Sequence, residues 1–387
     1  MEETQQLPLG VGTRILGPTM ATTPGNIKCR GVRYGVDRAR GGNCRATGRT
    51  PREDVPPYLV QQSYLVDAVW IVPLADGKAE EHMKVVLVGA TGYIGPRLAG
   101  SLQGAGYEVT VVTRSPARGA KRLPQGVEVV GVGGYGDDAV VQCMQGADAV
   151  VNLAGANIGS RRWTKGRKRV LLNSRVDTTA SLVTAMSQLN ADERPSVFVS
   201  TSGIDYYGSS GDEVLTEESP AGDSFLADVC AQWEVTANKA EALGVRVVTM
   251  RMATVMGRGA RPLQLRMLPF RFFAGGHFRP GTQWFCWVHL DDALGLYQFA
   301  IENDDVHGGM NVVAPGVLRE KDAGSAIGRA MHRPSWLPVP TLFLRLAMGE
   351  QSDLVIHGRC AEPKKALGAG YRFQHPLLDG ALKQVLG

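Results

Sequence analysis

The stretch Lys84–Gly95 constrains the fold most, because an apolar run, Val85 to Val88, passes straight into Gly89, Gly92 and Gly95. A run of that kind suits a strand buried on both faces of a parallel sheet. The glycines fall where the chain must turn sharply, approach a pyrophosphate closely and pack on the following helix. Leu98 and Leu102 then share one helical face. The free N–H groups and positive end of such a helix attract phosphates. Strand, loop and helix in this order predict that Gly89, Thr91, Gly92, Tyr93, Ile94 and Gly95 cradle a dinucleotide. The alternative is an ordinary Gly-rich turn.

Downstream, strand and helix alternate. Strands are expected over 106–113, 127–132, 147–153, 196–202 and 245–252, with helices over 169–189 and 225–243. This order predicts an α/β fold: a doubly wound parallel sheet with right-handed crossovers. Beyond Gly257 the alternation loosens, and a smaller substrate-side region is expected over 258–387, packed on a dinucleotide-binding domain of 83–257. Residues 1–56 are rich in Gly, Arg, Thr and Pro and poor in acids. They suit a disordered or targeting extension, although Glu2, Glu3 and the lack of serine before Ser63 depart from a transit peptide. Residues 57–82 are more apolar and are expected to connect, or to dock on the domain or a partner.

The whole chain is 44% hydrophobic and 20% charged, with net charge +5, an ordinary globular balance. No basic stripe with interleaved aromatics points to nucleic acid. No apolar run approaches the roughly 18 residues of a membrane-spanning helix. The cysteines are scattered, with neither a CxxC pair nor a His/Cys cluster, so reduced thiols and no metal are expected.

The end of the second predicted strand selects the dinucleotide. An NAD site places an acid about 20 residues beyond the glycines. Here Thr113-Arg114-Ser115 occupies that place, followed by Arg118, Lys121 and Arg122. A guanidinium there can fork onto a 2′-phosphate, so NADP is favoured over NAD.

Several ordered motifs then carry a resemblance. The glycine loop, Asn152-Leu-Ala-Gly155, Tyr207-Gly208 and Trp287-Val-His-Leu-Asp-Asp292 resemble the extended short-chain dehydrogenases/reductases. Asn152–Asn157 with Arg161-Arg-Trp-Thr164 and Ser174-Arg175 narrows this to the epimerase-family branch of bacteria, chloroplasts and mitochondria. Leu268-Pro-Phe-Arg271, Gly275-Gly276, Met348-Gly-Glu350 and Gly370-Tyr-Arg-Phe373 are similar to the branch's C-terminal region, so the likeness runs from about residue 83 to 386. It implies cofactor contacts at Thr113, Arg114, Leu153, Ala154, Gly155 and Arg175; with the N-terminal stretch it suggests a chloroplast or mitochondrial location, or otherwise a cytoplasmic one.

The resemblance also implies a Ser that orients a substrate hydroxyl and a Tyr four residues before a Lys that depresses the phenol's pKa. Ser202 takes the first place. Leu226 and Cys230 fall at the other two, and neither can serve. Tyr206 or Tyr207 is the remaining candidate acid. Cys230 reads as a small residue under the nicotinamide rather than a nucleophile, and His289 as a structural anchor. Two functions follow: an NADP-dependent epimerase or oxidoreductase with an atypical site, or an NADP-binding accessory subunit or assembly factor of an organellar membrane complex without turnover. In the second, the N-terminal arm would engage protein partners.

Overall fold

The computed structural model describes residues 82–387; the extension over 1–56 and the segment over 57–81 lie outside the described residues. The main sheet has seven parallel strands: β1 (Lys84–Val88), β2 (Glu108–Thr113), β3 (Glu128–Gly131), β4 (Ala149–Asn152), β5 (Val197–Gly203), β6 (Arg246–Met252) and β7 (Gly308–Val312). Their spatial order is β3-β2-β1-β4-β5-β6-β7, a doubly wound arrangement with its switch point between β1 and β4. In such sheets ligands bind beyond the strands' carboxyl ends at that point.

Alternation along each strand divides the core between two faces. Val85, Leu87, Val109, Val111, Val199 and Met250 pack with Leu98 and Leu102 of α1 (Gly95–Gly104) on one face. Val86, Val88, Val112, Val150 and Phe198 pack with Leu182 and Met186 of α2 (Lys165–Ser187) on the other. Burial on both sides is why β1 reads as a continuous apolar run. The expected helix from Phe225 ends at Asn238 as α3 (Phe225–Asn238) and tightens to a 3-10 turn over Lys239–Leu243.

The seventh strand departs from the expectation that the sheet ends with the sixth. Gly308–Val312 pairs with β6 from Gly308↔Val248 to Val312↔Met252. The sheet thus draws its last strand from beyond residue 257. Between β6 and β7 lies α4 (Leu290–Glu302), whose Ala293, Leu296 and Ala300 join the same core as β1. The C-terminal helix α5 (Leu378–Leu386) packs Leu378, Leu382 and Val385 against a separate cluster around Phe270 and Trp287. Among the described residues, no helix is long and apolar enough to cross a membrane.

Candidate dinucleotide site and its catalytic corner

The loop after β1 is shaped by what its glycines leave out. Gly89 has φ +74°, and a Cβ on it would come within 2.6 Å of the Ala154 Cα, so β1 and β4 meet backbone to backbone. A Cβ on Gly95 would fall 2.3 Å from the Ala90 carbonyl oxygen, which lets α1 start hard against the strand. Around Gly92 a Cβ would meet nothing within 4 Å. That glycine packs on no protein atom and leaves room for a ligand.

The start of α1 carries no side-chain cap. Elsewhere Thr164, Ser224 and His289 each accept a first-turn amide at the starts of α2, α3 and α4. Pro96 has no N–H and the Arg97 and Leu98 amides donate to the Ile94 carbonyl at 3.0 and 2.9 Å, so the donors left for an anion are those of Gly95 and the loop. Its surroundings are braced: Arg122 donates to the Thr91 carbonyl at 3.0 Å, the Tyr93 hydroxyl donates to the Arg258 carbonyl at 3.1 Å, and Arg97 lies 4.2 Å over the Tyr93 ring. Ile94, partly buried, packs on the core. Free donors, a positive helix end and an open cradle fit the diphosphate of a dinucleotide.

At the end of β2, Thr113 is buried and its Oγ1 accepts from the Ser115 amide at 3.1 Å. Arg114 is exposed, its guanidinium 5.5 Å from the centroid of the Tyr135 ring. Arg114 thus pairs with Tyr135 at the mouth of the strand, where its charge can also attract a phosphate.

Across the switch point, Asn152 turns the end of β4. Its Nδ2 donates to Thr179 Oγ1 at 2.9 Å and its Oδ1 accepts from the Ala154 amide at 3.1 Å. Leu153 is half-buried, Ala154 buried and Gly155 exposed. Arg175 of α2 lies against Gly155, where a Cβ would come within 3.3 Å of its guanidinium carbon. It also donates to the Leu171 carbonyl at 2.9 Å and sits 5.1 Å over the Trp233 ring. Burial pulls the Arg175 pKa below the usual guanidinium value.

The corner beyond β5 is filled by protein. Leu226 and Cys230 of α3 are both buried. Burial, reinforced by the charges of Asp205 and Glu234, pushes the Cys230 thiol up to about 12. Its Sγ would lie 3.3 Å from a Cβ on Gly203, which explains the small residue at the end of β5. A thiol held so far above neutrality is not a nucleophile.

Ser202 ends β5 as expected, but its hydroxyl donates to Glu234 Oε1 at 2.7 Å. Glu234 in turn is gripped by Arg251 of β6, with Nη2 2.8 Å from Oε2 and Nε 3.0 Å from Oε1. Both side chains are nearly inaccessible, at 8% for the carboxylate and 6% for the guanidinium. Arg251 also donates to the Tyr207 hydroxyl at 2.8 Å, and that hydroxyl donates to Asn311 Oδ1 at 2.7 Å. Burial raises the Tyr207 phenol to about 12. The Tyr206 ring lies 3.6 Å from the Arg251 guanidinium carbon, stacked on it. Ser202, Tyr206 and Tyr207 are therefore brought together around one buried cation, with the protons of Ser202 and Tyr207 committed to protein acceptors.

Arg251, Asp205 and Arg359 were not singled out from the sequence. Arg251 had a signal: a cation inside an apolar strand needs a buried partner. Asp205 pairs with Arg359 at 2.8 Å, and the Arg359 Nε donates to the Gly208 carbonyl at 2.8 Å. The Asp205 charge acts on both Cys230 and Arg175. His289 is buried and caps α4, consistent with an anchoring part.

With that geometry in place, the comparisons take their meaning. The model of the NAD dependent epimerase/dehydratase family matches residues 85–314, and that of a domain of unknown function matches 339–385. The chloroplastic epimerase family protein SDR39U1 homolog of Arabidopsis thaliana is 36% identical over 313 residues, covering 81% of this chain and 89% of that protein. Epimerase family protein SDR39U1 of Bos taurus is 34% identical over 309 residues, covering 79% and 100%. The crystal structure of human epimerase family protein SDR39U1 (isoform 2) with NADPH aligns with a TM-score of 0.69 at 31% identity, over 79% of this chain and 99% of that one.

Proposed function

The chain belongs to the NAD dependent epimerase/dehydratase family, and from that premise we propose that it binds NADP(H) along the carboxyl edge of the sheet. Gly89–Gly95 and the start of α1 hold the diphosphate, Arg114 with Thr113 the 2′-phosphate, and Leu153, Ala154, Gly155, Arg175 and Cys230 the nicotinamide end. The observation that carries this reading is the open cradle at Gly92 beside an uncapped helix start. The human relative that carries NADPH supports the choice of dinucleotide.

Bound, the cofactor supplies or accepts a hydride at a hydroxyl- or carbonyl-bearing carbon. The reaction is an oxidoreduction or epimerisation run without the Tyr-x-x-x-Lys pair. Leu226 offers no proton, and the Cys230 and Tyr207 protons are held to about 12. Proton exchange with the substrate oxygen falls to Tyr206, the half-buried phenol of the corner, since the Ser202 and Tyr207 protons go to Glu234 and Asn311. Ser202 and Tyr207 hold the Arg251–Glu234 pair beneath it.

A second reading keeps the cofactor and drops the chemistry: a silent NADP(H)-binding subunit or assembly factor, docked through the N-terminal arm. The committed protons of the corner favour it. An organellar location is supported by the Arg-rich N-terminal stretch and the chloroplastic plant relative.

The test is a fluorescence titration with NADPH and NADH followed by turnover on a broad carbonyl panel. NADPH preference with turnover that Tyr206→Phe abolishes, at unchanged NADPH affinity, supports the enzyme. NADPH retention without turnover, together with co-purification in a large assembly, supports the silent binder. Failure to retain either dinucleotide overturns both.

A further inference from the structure

The start of α4 meets the C-terminal tail at a cluster that neither function uses, with the Asp291 charge near enough to Tyr93 to reinforce burial in raising that phenol. His289 accepts the Asp291 amide on Nδ1 at 3.2 Å, and its Nε2 lies 3.0 Å from Gln384 Oε1 of α5. An amide oxygen only accepts, so the ring proton sits on Nε2 and Nδ1 presents a lone pair. The His375 ring lies against it, centroids 3.9 Å apart. Asp291 Oδ2 stands 3.5 Å from His289 Nδ1 and 3.6 Å from His375 Nε2, and the donor atoms all lie within 4.8 Å of one another.

The cluster is built rather than incidental. Asp292, fully buried, accepts the Gln374 and His375 amides at 2.7 and 2.9 Å, fixing the backbone that delivers His375. The His289 side chain is 2% exposed and that of His375 18%. Burial, and then the neighbouring His375, lower the His289 pKa from its ordinary value. Four ligands at about 2.0–2.1 Å from a tetrahedral zinc ion stand roughly 3.4 Å apart. Two of the three separations here are already close to that.

We propose that His289 Nδ1, His375 Nε2 and the Asp291 carboxylate form a site for a divalent transition metal of the zinc class, with the remaining position open to water. Two imidazoles and one carboxylate suit Zn²⁺, Co²⁺ or Ni²⁺ rather than Mg²⁺ or Ca²⁺. Binding replaces the long Asp291 amide bond to Nδ1 and draws the two imidazole nitrogens together. Gln384 keeps the role that a hydrogen-bonded partner plays behind a ligating histidine, holding tautomer and ring orientation. The metal clips residues 374–375 and α5 to the start of α4.

The experiment strips the full-length protein with chelator and titrates it with Zn²⁺, then with Co²⁺ followed by its visible absorption. One saturable Zn²⁺ equivalent is expected, displaced by Co²⁺ with the spectrum of a four-coordinate ion. His375→Phe keeps a stacked ring without the donor, and Asp291→Asn removes the carboxylate. Each is expected to weaken Zn²⁺ at least tenfold while near-UV circular dichroism stays native. Gln384→Leu, which touches no ligand atom, is expected to cost 10–100-fold. No saturable binding, or binding unchanged by His375→Phe and Asp291→Asn, overturns the site.

Discussion

The two sides of the switch point are finished in opposite ways. Beyond β1 the loop ends in an uncapped helix and an empty cradle. Beyond β5 the space is occupied by a carboxylate, a guanidinium, two phenols and a serine that satisfy one another. One region keeps open space around a glycine; the other is held by a network of buried charges and hydrogen bonds. A glycine loop alone therefore says nothing about proton transfer.

The contrast breaks most sharply at the closed side. Removing Arg251 strands a buried carboxylate, so Arg251→Leu is expected to cost about 3–5 kcal/mol in urea unfolding. A loss below about 1 kcal/mol would mean that the corner is not a closed network. Ser202→Ala leaves Glu234 its arginine but removes a hydrogen bond to a charged acceptor, and about 1.5–3 kcal/mol of stability should go with it. If Ser202 instead oriented a substrate, turnover would fall with the unfolding midpoint unchanged.

Gly92→Ala sharpens the open side. The added methyl meets no protein atom, so stability should move by less than about 0.5 kcal/mol while NADPH affinity drops. Gly95→Ala, by contrast, should destabilise by at least about 1–3 kcal/mol, because its methyl would strike the Ala90 carbonyl. Arg114→Ala is expected to weaken NADPH about tenfold, near 1.4 kcal/mol, and NADH little; equal losses would remove the case for a 2′-phosphate site.

A pH titration gives the mildest test. The Cys230 thiol ionises near its ordinary value of 9.0 when unfolded but is held to about 12 in the fold. The native state thus binds the proton more tightly, so this contribution is whole below pH 9 and is lost as pH rises toward 12. The melting temperature should fall across that window, less steeply in Cys230→Ala. The thiol should also resist a disulfide reagent at pH 8 in native protein.

The first six strands were legible because each carries a run of valines or other apolar residues. β7 was not, since it opens Gly308-Gly309 and carries Asn311. The structure supplies the reason. A Cβ on Gly309 would come within 2.8 Å of the Arg251 guanidinium, and a glycine inside a strand marks such a close approach. Asn311 accepts the Tyr207 hydroxyl. The residues that hide β7 from a hydropathy pattern are those that house the buried cation.

The site divides in the same way. Gly89–Gly95 and Thr113–Arg114 are contiguous motifs whose spacing speaks for itself. Glu234 and Arg251 come from a helix and a strand, and only the fold makes them a pair. His289 and His375 are likewise far apart in the chain, and only the fold brings their rings together.

The pairing of Gly308–Val312 with β6 also sets a schedule for synthesis. As the chain leaves the ribosome, Arg246–Met252 can take its place beside β5 well before its outer neighbour exists. Until residue 312 has emerged, its outer row of N–H and C=O groups stays unmatched, an edge that other nascent chains can join. The buried arginine waits over the same interval, because part of its enclosure arrives with the last strand.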